Sequence, residues 1–298
     1  MSAPPRAHRG TIHVEDGAIL QHTVCEPAQH ILRVAAPRTA RHATPGSFVH
    51  LRCDAALPMR RPLSIMRADA DAGWIEVLFK VVGTGTAALA TRQAGETLNL
   101  MGPIGQGFTL HPARPRVLAI GGGVGIPPLV FLAERLTTDT RTAWKPLVLM
   151  GSEIPFPFRA RPSRILVPAA PDEAIACMPL LDEWGVPSRL ASNAGYAGCY
   201  HGNVTELASR WLAALTAAER AEVEIYACGP TPMLAATAAL ARKFSLPCQV
   251  SLEEYMACAV GGCAGCAVEV HTSTGRAMKR VCVDGPVFEA QSVFPPPA

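Results

Sequence analysis

Residues 117–129 read Val-Leu-Ala-Ile-Gly-Gly-Gly-Val-Gly-Ile-Pro-Pro-Leu. Four apolar residues without polar alternation are the pattern of a strand buried on both faces, as in a parallel sheet. The glycines permit a tight turn and close approach to a ligand. The proline pair suits the first turn of a helix, where a missing N–H costs nothing. The stretch predicts strand, turn and helix, the helix over about 128–136, with its N-terminus at the carboxyl end of the strand, a position that favours a pyrophosphate. Its glycines do not follow G-x-G-x-x-G, and a tight βα turn without a ligand is the plain alternative.

Reading downstream, a buried strand over 146–150, a continuation through 163–168, a helix over 204–217, a strand over 222–226 and a helix over 232–243 keep a βαβ rhythm. Such alternation predicts a parallel α/β domain. The turn Cys228-Gly229-Pro230-Thr231-Pro232-Met233 ends a later strand at the same carboxyl edge, so the two turns together outline a nucleotide crevice. Glu153, just past the second strand, is placed to bond a ribose 2′-hydroxyl and to repel a 2′-phosphate, favouring NAD over NADP. The proline-rich stretch that follows, to Pro171, has no periodicity to interpret.

Upstream, short alternating or β-branched runs at 10–15, 30–34, 47–52, 74–81 and 96–100 are separated by turn residues. That spacing predicts an antiparallel barrel or sandwich. Within it stand Arg61, Pro62, Leu63 and Ser64, then Leu78, Phe79 and Lys80, then Gly85 and Thr86. A guanidinium can pair with a phosphate, and a hydroxyl with strand-edge backbone can bond the polar rim of a flavin. Taken alone, such residues are more often an ordinary strand edge.

The C-terminal part carries Cys258-Ala-Val-Gly-Gly-Cys263-Ala-Gly-Cys266, with Cys282 sixteen positions on. C-x4-C-x2-C…C is the spacing with which plant-type ferredoxins hold a [2Fe–2S] cluster. Small residues let the loop bend and aim N–H groups at sulfur. A structural zinc site is the competitor, although it normally uses two C-x2-C knuckles where this chain has one. The other six cysteines read as small buried hydrophobes.

Composition sets the remaining bounds. At 298 residues the chain suits two or three domains, and 49% hydrophobic with 17% charged residues exclude disorder. A net charge of +3 with no basic run longer than a pair gives no nucleic-acid surface. The apolar stretch 117–132 is interrupted by glycines and prolines, so no membrane insertion is expected. Residues 1–10 hold prolines, arginines and a histidine where a secretory signal needs an apolar run. A cytoplasmic location is expected.

In chain order these elements resemble the ferredoxin-reductase superfamily. With the cysteine module and Met101-Gly-Pro-Ile-Gly-Gln-Gly-Phe108, the chain is similar, over about residues 12–290, to the electron-transfer (iron–sulfur) subunits of NAD-dependent dihydroorotate dehydrogenase. The resemblance implies a multidomain α/β plus β protein. It would comprise an antiparallel flavin-binding β-barrel (1–112), a ferredoxin-reductase-like parallel α/β nucleotide domain (113–247) and a small C-terminal [2Fe–2S] module (248–298). FAD would lie on Arg61, Pro62, Leu63, Ser64, Leu78, Phe79, Lys80, Gly85 and Thr86. NAD(H), as substrate, would meet Gly121, Gly122, Gly123, Gly125, Pro127, Cys228, Gly229, Pro230 and Met233. Cys258, Cys263, Cys266 and Cys282 would ligate the cluster, and no side chain would act as a catalytic acid, base or nucleophile.

The resemblance also implies a partner, an FMN-containing subunit that oxidises dihydroorotate, in a heterotetramer with two of each subunit. Two features depart from the family pattern: Asn193-Ala-Gly-Tyr-Ala-Gly-Cys-Tyr200 lacks the expected acidic residues, and the proline-rich insert is unfamiliar. They leave open an NAD(P)H-dependent reductase subunit that serves a sulfur-reducing or hydrogenase complex. A zinc-stabilised binding module is the reading from another class.

Overall fold

The computed structural model describes residues 10–296. Six strands close an antiparallel barrel: β1 (His13–Cys25), β2 (Gln29–Ala35), β3 (Phe48–Arg52), β4 (Arg61–Asp69), β5 (Trp74–Lys80) and β6 (Thr97–Ile104). Their order around the barrel is β1-β2-β5-β4-β3-β6. Two short helices, α1 (Pro37–His42) and α2 (Thr84–Ala90), fill the longer connections. Closure leaves no edge strand, each strand pairing a neighbour on either side along at least part of its length, and the fully buried Leu32, Val34, Val49, Leu51, Ile65, Ile75, Val77, Leu98 and Leu100 fill the interior. The expected barrel is therefore present, with β4 as a strand in its own right.

From Arg116 the chain builds a parallel sheet. Strand β7 (Arg116–Gly122) runs through a 3-10 turn at Gly123–Gly125 into α3 (Pro127–Thr138), followed by β8 (Leu147–Gly151). After β9 (Arg161–Pro162), β10 (Ala176–Cys177) and α4 (Pro179–Glu183) come β11 (Ser188–Ala191), α5 (Val204–Ala214), α6 (Ala217–Ala221), β12 (Val223–Cys228), α7 (Thr231–Phe244) and β13 (Cys248–Ser251). A hairpin, β14 (Ala267–Thr272) with β15 (Gly275–Arg280), leads to the turn α8 (Val281–Asp284), then to β16 (Val287–Glu289) and α9 (Ala290–Val293). The large sheet has the order β11-β8-β7-β12-β13-β16. All six residues of β12 are buried, as covering by helices on both faces requires. Two compact units result: one runs to Gly107 and includes Leu252–Val287, and the other holds Phe108–Ser251 and the chain from Phe288 onward.

Two local expectations are corrected. Residues 163–168 are not a strand, since only Arg161–Pro162 pairs, with Ala176–Cys177. Pro162 and Pro168 lack the N–H a ladder needs, and the polar groups between them turn to Asp182. Ser163 Oγ donates to its carboxylate at 2.9 Å, with Arg164 N at 3.1 Å and Arg164 Nε at 3.0 Å. The sheet position is taken by Ser188–Ala191, parallel to β8. Its polar residues hid it from pattern reading, yet they find partners inside: Met178 N donates to Ser188 Oγ at 3.1 Å and Arg189 Nη2 to Ile165 O at 2.8 Å, while Arg189 Nε is buried without a partner.

The helix expected over 204–217 breaks, because Leu215 is extended and Thr216 caps α6 with its hydroxyl accepting from Glu219 N. After the hairpin, residues 281–284 turn helically, with Arg280 N donating to Asp284 Oδ2 at 2.8 Å. Asp182→Ala should lower stability by about 1–3 kcal/mol, the effect of leaving the loop's polar groups unpaired, read as a lower Tm. Hydrogen bonds from Arg164 and Ser163 outweigh burial and hold the Asp182 carboxyl below its ordinary value. A depressed carboxyl stabilises the fold above its unfolded pKa and stops doing so as pH falls through the folded value. The gap in Tm between wild type and Asp182→Asn should therefore close below about pH 4.

Candidate functional site

The flavin element lies where two barrel strands separate. The ladder between β4 and β5 ends at Ile65 opposite Val77. Beyond it Arg61 to Ser64 pair only with β3, Arg61 opposite Leu51 and Ser64 opposite Phe48, while Gln29 of β2 pairs Lys80. The facing edges of 61–64 and 78–80 thus form no ladder with each other. The Leu78 and Phe79 side chains are buried at 3% and 2% exposure, Phe79 stacking on His30 at 5.1 Å. Those two residues can offer a ligand only backbone, whereas Arg61, Ser64 and Lys80 are half-buried and can offer side chains.

Arg61 lies directly over the first turn of α2, since a side-chain carbon at Gly85 would fall 2.6 Å from its Nε. The Thr86 hydroxyl is occupied locally, accepting from Val82 N at 2.9 Å and Gly83 N at 3.2 Å. A guanidinium over backbone N–H groups at a helix start is a donor set that fits a phosphate of a flavin dinucleotide. Arg61→Ala should weaken FAD retention by about 1.5–3 kcal/mol, a loss of roughly 10- to 150-fold in affinity; FAD binding to the flavin-stripped protein measures it, and unchanged affinity would refute the assignment.

At the nucleotide element the two turns expected to meet do so. Strands β7 and β12 are adjacent and parallel, with Gly121 opposite Cys228. A side-chain carbon would lie 2.5 Å from Met233 Sδ if added at Gly122, and 2.5 Å from Cys228 O if added at Gly125. These two glycines are required by close approach, whereas Gly123 is required by its φ of +54°. Pro127 opens α3, and Pro230 caps α7. Cys228 is fully buried, so its thiol packs the turn instead of lining the surface. Gly123, exposed Pro230 and half-buried Met233 are what a ligand would meet.

The four expected ligands occupy one loop and the turn after the hairpin. Cys263 N donates to Cys258 Sγ at 3.4 Å, Gly265 N to Cys263 Sγ at 3.4 Å, and the Cys266 and Cys282 sulfurs lie 3.3 Å apart. None forms a disulfide. Ala259, Gly261 and Ala264 hold φ of +54°, +83° and +55°, which wraps the loop. Burial would raise the Cys258 thiol, but N–H groups of Cys263, Val260 and Gly262 with the Cys263 thiol outweigh it and hold Cys258 at about 6. It is thus a thiolate, the ligating form, at neutral pH. Burial, then the bond with Cys266, pushes Cys282 up, so its proton leaves only to a cation.

Two pairs of thiols, with N–H groups aimed at sulfur, fit a cluster of two irons.

Two supporting residues escaped sequence reasoning. Arg280 Nη1 donates to Gly261 O at 2.8 Å, fastening the loop to the hairpin. Gln106 N donates to Gly285 O at 2.6 Å and its Nε2 to Val283 O at 3.2 Å. The Met101–Phe108 motif pointed to Gln106 without its role; a lone arginine gave no signal for Arg280.

Comparison with known proteins agrees with this layout. The family described as the iron-sulfur cluster binding domain of dihydroorotate dehydrogenase B matches residues 253–294. The "dihydroorotate dehydrogenase B (NAD(+)), electron transfer subunit" of Desulforamulus reducens is 32% identical over 285 residues, covering 94% of this chain and 98% of that protein. The protein of the same name from Bacillus caldolyticus is 37% identical, covering 84% and 86%. Among solved structures, a chain of NADH-dependent reduced ferredoxin-NADP oxidoreductase matches with a TM-score of 0.74 at 24% identity, over 93% of this chain and 89% of that one. A ferredoxin NADP+ reductase from Neisseria gonorrhoeae, solved with FAD and NADP, matches at 0.58 and 16%, over 78% and 91%. At those identities the structural matches establish the ferredoxin-reductase-like fold.

Proposed function

The chain belongs to the family of electron-transfer subunits of NAD-dependent dihydroorotate dehydrogenase B, and from that premise we propose that it carries electrons from a dihydroorotate-oxidising partner to NAD+ through a [2Fe–2S] cluster and FAD. The observation that carries this reading is the cysteine loop: four cysteines in two pairs, in a backbone wrapped to point N–H groups at their sulfurs. The family's subunit name implies a catalytic partner, and we infer that it is an FMN-containing subunit assembled with this one as two of each. No helix of the described residues is long and apolar enough to cross a membrane, in keeping with a cytoplasmic complex.

When bound, the flavin would exchange a hydride with nicotinamide and single electrons with the cluster. The chain's own residues bind and orient. Arg61 and the first turn of α2 hold phosphate, and the unladdered edges of 61–64 and 78–80 hold the ring's polar rim. The glycine turn after β7 and the Cys228–Met233 turn hold the dinucleotide, while Cys258, Cys263, Cys266 and Cys282 hold iron. No step requires a side chain as acid, base or nucleophile.

The test is anaerobic purification with and without the partner, flavin and iron analysis, and electron paramagnetic resonance after adding NADH. Bound flavin with a rhombic [2Fe–2S] signal supports the reading, whereas zinc without flavin would sink it.

A further inference from the structure

Arg60 and Arg61 are neighbours in the chain, yet their side chains go different ways. Arg61 opens β4 and lies over the first turn of α2, whereas Arg60, the last residue of the loop from β3, turns back over the barrel. Its Nη1 donates to His50 O of β3 at 3.0 Å and to Asn99 O of β6 at 3.3 Å, and its Nη2 donates to Asn99 Oδ1. Asn99 Nδ2 donates in turn to Oδ1 of Asp16 at 2.6 Å, the residue opposite it on β1. One orientation of the Asn99 amide serves both neighbours, oxygen toward the guanidinium and nitrogen toward the carboxylate. Arg60 thus ties the end of the loop to β3 and β6 directly and to β1 through Asn99. Burial, then the charge of Arg52, holds its guanidinium below the ordinary value, and the Asp16 carboxylate opposes both.

The consequence falls on Arg61. Its Nη1 donates to Met59 O at 2.8 Å and to Arg60 O at 3.3 Å, the two carbonyls of the anchored loop end. The other edge of the same fork faces α2, since a side-chain carbon at Gly85 would fall 2.6 Å from Nε and 2.7 Å from Nη2. A guanidinium is planar and rigid, so holding Nη1 on two carbonyls fixes the direction of the Nε–Nη2 edge. That edge is the one suited to two parallel bonds with a phosphate. A long side chain held in place beforehand loses less freedom when the ligand arrives.

We propose that Arg60 is a positioning residue for the flavin: its bonds to His50 and Asn99, backed by Asp16, fix the loop end whose carbonyls aim Arg61 at the phosphate. This rests on the reading of Arg61 as the phosphate contact and extends it to residues outside the flavin element. The adjacent arginines then divide the work, one committed to the barrel and one to the ligand.

The test is a double-mutant cycle on FAD affinity, measured with the full chain stripped of flavin. Arg60→Met keeps the apolar stem and removes the donors. It should weaken FAD binding about fivefold or more in the otherwise wild-type chain, within the range for coupled neighbours, and by less than about twofold when Arg61→Ala is already present. Asp16 is exposed, so Asp16→Ala leaves the core intact; it should weaken FAD binding by a smaller factor that also vanishes in the Arg61→Ala background. A role in stability alone would lower Tm and show no coupling to Arg61. Equal losses in both backgrounds, or FAD affinity unchanged by both Arg60→Met and Asp16→Ala, would overturn the proposal and leave the phosphate reading standing. Wild-type affinity in Arg61→Ala would take both down. Should Arg60→Met not fold, the cycle with Asp16→Ala decides.

Discussion

Cys263→Ser should abolish the iron–sulfur absorption and the paramagnetic signal while leaving FAD bound and reducible by NADH. Cys263 is the exposed member of the four, so removing its sulfur opens no cavity. Its backbone N–H still reaches Cys258 Sγ, and a serine oxygen can still accept from Gly265 N, which donates to the cysteine sulfur at 3.4 Å. Folding should be untouched. What is lost is a soft thiolate ligand, and a hydroxyl that stays protonated near neutral pH does not replace it. Iron content per chain, flavin content per chain and the signal after NADH separate the outcomes. Joint loss of flavin and iron would mean that the cluster loop supports the barrel through Gln106 and the turn at Val283–Gly285, contrary to the independence expected of the two sites.

Gly125→Ala is the second large effect expected. The added carbon would lie 2.5 Å from Cys228 C, Cys228 O and Gly229 N, all backbone atoms of a turn that opens α7. Nothing there can rotate aside, so the turn after β12 must move. Overpacking of this kind costs about 1–3 kcal/mol. Charged to the nucleotide site, it should lower the second-order rate of flavin reduction by NADH roughly 10- to 100-fold while FAD content holds. Gly85→Ala is the useful contrast, because its close neighbour is the flexible end of Arg61, which can swing away. That substitution should disturb FAD retention and spare the NADH dependence. A Gly125→Ala protein that reduces as fast as wild type would show that the packing of the two turns has no part in holding the dinucleotide.

Much of this was legible from local pattern. The barrel runs alternate because one face of each strand meets a core, and β7 reads as an unbroken apolar run because both faces do. The glycine turn and the cysteine loop were legible because each needs residue types that few other structures tolerate together. Pattern reading failed where polar residues are satisfied by distant partners. Ser188 and Arg189 sit buried in β11 only because Met178 N and Ile165 O meet them. Residues 163–168 look strand-like only until Asp182, far along the chain, draws their donors away. Thr216 ends one helix and caps another within three residues, a choice fixed by Glu219.

The sequence by itself determined the order of the candidate flavin, nucleotide and cluster elements and which four thiols are the candidates to hold iron, because spacing and small-residue content act over a few residues and need no partner. Only the tertiary structure decided which candidate side chains are available. It buried Phe79 and Cys228, set Arg61 over Gly85, tied Gly261 to Arg280, and joined Glu153 to Asn193 across forty positions. Availability depends on what lies across a strand or a turn, and that is set by register and packing between segments far apart in the chain.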